Sequence, residues 1–62
     1  MQYKYILTDS KGDFVEVYTN FDEALKNKRS GFEIYKLRSF DFRGYKTSGR
    51  NIEFLKKFQV IG

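Results

Sequence analysis

A 62-residue chain with neither cysteine nor histidine must hold itself together by packing alone. Disulfides and zinc, the usual supplements of a fold this small, are closed to it. A core of this size supplies roughly 3–5 kcal/mol. The chain answers with seven Phe and five Tyr, which bury more area per residue than any aliphatic side chain. Two solutions follow, a dense aromatic core in one compact domain spanning residues 1–62, or self-association as a homodimer.

The same absences bear on chemistry. Without a thiol or an imidazole there is no Cys nucleophile, no His base and no zinc cluster. The carboxylates stand singly or at turns and caps, and Gly44 and Gly49 do not make a phosphate-cradling loop. The expectation is a non-enzyme, with no cofactor and no metal.

Alternation and turn residues divide the chain. QYKYILT (2–8) and FVEVYT (14–19) flank DSKGD and read as a β-hairpin. A three-residue loop of Ser10, Lys11 and Gly12 pairs Leu7 with Val15 and Tyr5 with Val17, so that Tyr3, Tyr5, Leu7, Val15 and Val17 share one face. It also puts Gly12 where the turn needs a left-handed residue. The other face would carry Lys4, Ile6, Thr8, Phe14, Glu16 and Tyr18, too apolar for water, so a strand, a helix or a second subunit is expected over it.

Asn20 is a good N-cap, with Asp22 and Glu23 suited to the positive end of a helix that Gly31 would stop. FEIYKLR (32–38) reads as a third strand. FDFRGYK (40–46) reads either as a fourth strand hairpinned to it, the preferred reading, or as the continuation of one long bent strand with a bulge near Ser39, and Gly44 marks a kink or a close approach. NIEFLKKF then places Ile52, Leu55 and Phe58 on a helical stripe, and Gln59 to Ile61 can add a short edge strand. The sum is a small α+β domain of ββα-ββα-like order, with an antiparallel sheet of three to four strands and two short helices. A loose echo of Tyr18, Glu23, Leu25 and Lys26 in Tyr45, Glu53, Leu55 and Lys56 points the same way.

Residues 3–28, with their aromatic strand, Asp-x-x-Gly turn, second strand and Glu-Ala-Leu helix, resemble the arm-binding domain of tyrosine recombinases. That resemblance covers under half the chain, and the family expects three strands ahead of the helix where two are read here. No family assignment is taken from it.

Function is read from charge. Residues 1–31 hold five basic and five acidic side chains, residues 32–62 seven and three, so the whole net charge of +4 lies in the second half. There Tyr35, Lys36, Arg38, Arg43, Tyr45, Lys46 and Arg50 interleave cations with aromatic rings, the mixture that attracts phosphates and stacks on bases. These seven are the candidate partner-binding residues. The expected partner is nucleic acid or a nucleic-acid-associated protein; the alternative is an antagonist that blocks a host protein through an aromatic-rich patch. No apolar run approaches a membrane span and the N-terminus has no signal pattern, so a cytoplasmic protein without a membrane partner is expected. Lys, Asn, Ile, Phe, Tyr and Met make up 28 of 62 residues, the bias of AT-rich codons, which fits an accessory protein of a bacteriophage or mobile element.

Overall fold

The computed structural model describes residues 2–61, with Ile61 in its backbone only. The elements are β1 (Tyr3–Thr8), β2 (Phe14–Tyr18), α1 (Phe21–Asn27), β3 (Glu33–Arg38), α2 (Ser39–Thr47), α3 (Ile52–Leu55) continued by a 3-10 turn (Lys56–Phe58), and β4 (Gln59–Ile61). All strand pairs are antiparallel, in the order β2-β1-β3-β4. The chain is therefore α+β, and none of the described helices is long and apolar enough to cross a membrane.

The hairpin turn forms as its residues dictate. Asp9 N–H donates to the Asp13 carbonyl at 2.9 Å, Gly12 N–H returns to the Asp9 carbonyl at 3.0 Å, and Gly12 has φ +85°. The Asp9 carboxylate accepts from the N–H groups of Lys11 at 2.9 Å and Asp13 at 3.0 Å, which offsets the proximity of the two acids. Thr8 then pairs with Phe14, but Leu7 pairs with Glu16, Ile6 with Val17 and Tyr5 with Tyr18. The register expected from the turn is thus corrected by one residue. A bulge at Val15 reverses the parity of the rest of β2, leaves Val15 41% exposed and sends Val17 to the face of Ile6.

Both faces of the sheet are cores. Ile6, Tyr35 and Leu37 lie on one face with Tyr45 of α2 and Leu55 of α3, flanked by Phe14, Val17, Phe42, Ile52, Phe54 and Phe58. Leu7 and Ile34 lie on the other with Ala24 of α1, flanked by Tyr5, Tyr18, Phe21 and Phe32. The molecule is three layers deep: α1, the sheet, then α2 with α3. The cover expected over Ile6 is supplied by helices of the same chain, and Tyr5 is only half-buried while Ile6 is fully enclosed.

The expected fourth strand at 40–46 is a helix. Phe40 and Phe42 alternate as a strand would, but the inward residues are Phe42 and Tyr45, spaced by a helical turn, and Phe40 projects outward, 81% exposed. Gly44 weakens this helix by about 1 kcal/mol relative to Ala. It is also where α3 approaches: a Cβ there would lie 3.1 Å from Phe54 Cζ. The fourth strand is instead β4. Asn20 and Asn51 cap α1 and α3 by accepting from Asp22 N at 2.8 Å and Glu53 N at 2.9 Å.

Tyr35 anchors the layer under α2. Its hydroxyl donates to the Glu33 carboxylate, which also accepts from Gln59 Nε2 of β4 at 3.2 Å. Burial, and then Glu33, pushes the Tyr35 phenol up to about 12. A folded-state pKa above the unfolded value of about 10 gives stability that is complete below about pH 10 and lost as pH rises toward 12. Urea unfolding across that window should show the wild type losing stability more steeply than Tyr35→Phe, which has no phenol to ionise. Parallel curves would refute the linkage.

Candidate nucleic-acid interface

The seven candidate residues do not form one surface. Tyr35 and Tyr45 are core residues, 0% and 1% exposed, and burial raises the Tyr45 phenol as well. Neither ring is free to stack, so the expectation that they meet a partner gives way to a packing role. Arg43, Lys46 and Arg50 belong to α2 and the turn after it, in the layer that covers Ile6 and Leu37. Lys46 and Arg50 lie against the protein's own rings: Lys46 Nζ is 5.6 Å from the Phe42 centroid, which Lys4 Nζ also approaches at 5.8 Å, and the Arg50 guanidinium sits 4.1 Å over Phe14. Arg50 has φ +60°, a conformation costing about 1–2 kcal/mol in an L-residue, and its stacking on Phe14 offsets part of that.

Lys36 and Arg38 stand on the opposite, α1-bearing face. Strand alternation puts them beside Ile34 on β3, with Tyr5 across from Lys36 and Tyr3 across from Arg38. Lys36 Nζ lies 4.2 Å over the Tyr3 ring. Arg38 Nε reaches Asp41 at 3.7 Å, an exposed pair worth little and easily exchanged.

The layer geometry explains why this part of the sheet is only partly covered. Seven residues of α1 make about 10 Å of helix, whereas the six residues of β1 run about 20 Å. One end of the face, Leu7 and Ile34, lies under Ala24. At the other end, Tyr3, Tyr5, Lys36 and Arg38, the helix reaches only as far as Phe21, whose ring packs on Tyr5, and both tyrosines stay half-buried. Two hollows occupy this end. One of about 440 Å³ is lined by Gln2, Tyr3, Tyr5 and Thr19. A second of about 280 Å³ is lined by Tyr5, Phe21, Lys36 and Val60. No carboxylate lines either, among the described residues. Glu16, the acid on this face of β2, stands at the covered end, opposite Leu7.

Alternation assigns Tyr3 and Tyr5 to a hairpin core; both are half-buried and Tyr5 does pack against the cluster of Leu7, Ala24 and Ile34, so what alternation misses is the part of each ring left at the surface. The signal that could have found it is the shortness of α1. Comparison with known proteins leaves the geometry to speak for itself: no protein-family profile, no curated protein and no solved structure matches this chain.

Proposed function

We propose that this chain is a small non-enzymatic binding module acting on nucleic acid, of the kind a bacteriophage or mobile element carries as a cytoplasmic accessory protein. The observation that supports this reading is the end of the α1-bearing sheet face beyond Ala24, where half-buried Tyr3 and Tyr5 lie beside Lys36 and Arg38 and no described carboxylate lines the hollows. Cations attract a polyanion, and the exposed parts of the tyrosine rings give it a surface to stack on. Arg43, Lys46 and Arg50 add to the positive field from the other side of the molecule and steer association.

Salt dependence tests the reading. Affinity for short oligonucleotides should fall linearly on a logarithmic salt scale, and Lys36→Ala and Arg38→Ala should each lower the slope by about one across all sequences. Binding indifferent to salt would refute it.

One observation favours the alternative, an antagonist of a host protein. Phe40 is 81% exposed on α2 with Arg43 one turn on, an aromatic and an arginine of the kind that anchors protein interfaces. Retention of one lysate protein after nuclease treatment, abolished by Phe40→Ala, would decide for it.

A further inference from the structure

We propose that this end of the α1-bearing sheet face is a stacking platform for an unpaired strand, with Tyr5 as the partition between two adjacent base sites. This deepens the nucleic-acid reading and rests on it. Among the described residues Tyr5 alone lines both hollows, and its ring is braced by Phe21 with centroids 5.6 Å apart and planes tilted by 59°. The first site is bounded by Tyr3 and Tyr5 with the neutral polar groups of Gln2 and Thr19, which can hydrogen-bond a base edge. The second is bounded by Tyr5, Phe21 and Val60, with the Lys36 ammonium at its margin.

Such a surface suits a single strand and not a duplex. In a duplex the ring faces are consumed by stacking on one another, and only edges show in the grooves; a tyrosine set in a sheet face cannot reach them. An unpaired strand offers both ring face and phosphate. Lys36 lies on the Tyr3 ring at 4.2 Å, and a phosphate beside it would draw the ammonium away and open that ring to a base. Charge complementarity names the occupant: among the described residues the exposed cations at this end are Lys36 and Arg38, and none that lines the hollows is negative.

The test uses the intact chain with fluorescein-labelled ten-nucleotide strands of deoxythymidine and of uridine, and a mixed-sequence duplex of the same length, read by anisotropy at low salt. Both single strands, or one of them, should bind at least about tenfold more tightly than the duplex. Tyr5→Leu and Tyr3→Leu, which keep apolar bulk but lose the ring, should each weaken single-strand binding about five- to a hundredfold. Arg43→Ala/Lys46→Ala/Arg50→Ala should weaken it much less. The chain has no Trp, so its intrinsic emission is tyrosine, and unlabelled single strand should quench it in the wild type; this readout needs no variant to fold. Equal or tighter duplex binding, unquenched emission, or tyrosine variants that bind as the wild type does would overturn the platform while leaving a nucleic-acid protein. Failure of both strand and duplex to bind would take down the nucleic-acid reading with it.

Discussion

Ile6→Ala and Leu7→Ala should each leave the chain largely unfolded at room temperature. The two residues are neighbours on β1, both fully enclosed, and they point to opposite faces of the sheet. Ile6 packs under Tyr45 and Leu55, Leu7 under Ala24 with Ile34 beside it. Truncating a buried Ile or Leu costs about 2–5 kcal/mol. A domain this small has roughly 3–5 kcal/mol in total. In a sheet with one wet face only one of two consecutive residues would matter so much. The three-layer arrangement makes both indispensable, because β1 is a central strand and each face is closed by a different part of the chain. Circular dichroism and urea titration will show the loss. A cooperative transition at the wild-type midpoint in either variant would mean that its face is not a core.

The turns and caps were legible because their determinants are local. Gly12 supplies the one left-handed residue the Ser10 to Gly12 loop requires, and Asn20 accepts the amide two residues on, whereas Asn51, which does the same for α3, is not singled out by the sequence pattern. The bulge at Val15 was not legible. Phe14, Val15, Val17 and Tyr18 are all apolar, so the pattern fits either parity, and only packing against two helical layers selects Val17 for the Ile6 face. The helix over 39–47 was hidden for a related reason. Phe40, Phe42 and Tyr45 satisfy a strand period as far as Phe42 and a helical period from Phe42 to Tyr45, and Gly44, unfavourable in a helix, stands there because Phe54 approaches it closely. That single misreading split the candidate site. A strand at 40–46 would have continued the surface of Lys36 and Arg38, whereas the helix folds Arg43 and Lys46 onto the opposite face.

Adjacent residues on α2 separate contact from stability, and the expected losses differ by about 2–4 kcal/mol. Tyr45→Ala removes a ring that is 1% exposed and wedged among Ile6, Tyr35, Leu37 and Leu55. Loss of a large buried aromatic side chain costs about 3–5 kcal/mol. The variant should unfold and lose every partner at every salt concentration. Lys46→Ala should change stability by no more than about 1 kcal/mol, the loss of its ammonium from the margin of Phe42. Tyr45→Phe keeps the ring and should fold, and its binding should match the wild type, since a ring enclosed by α2, α3 and the sheet touches no partner. If Tyr45→Phe folds normally yet binds weakly, its hydroxyl reaches the ligand and the α2 layer is part of the interface. If it folds and binds normally while Tyr45→Ala is unfolded, Tyr45 serves the core alone, and the rings that meet a partner must be those with exposed surface, Tyr3 and Tyr5 of the first strand or Phe40 of α2.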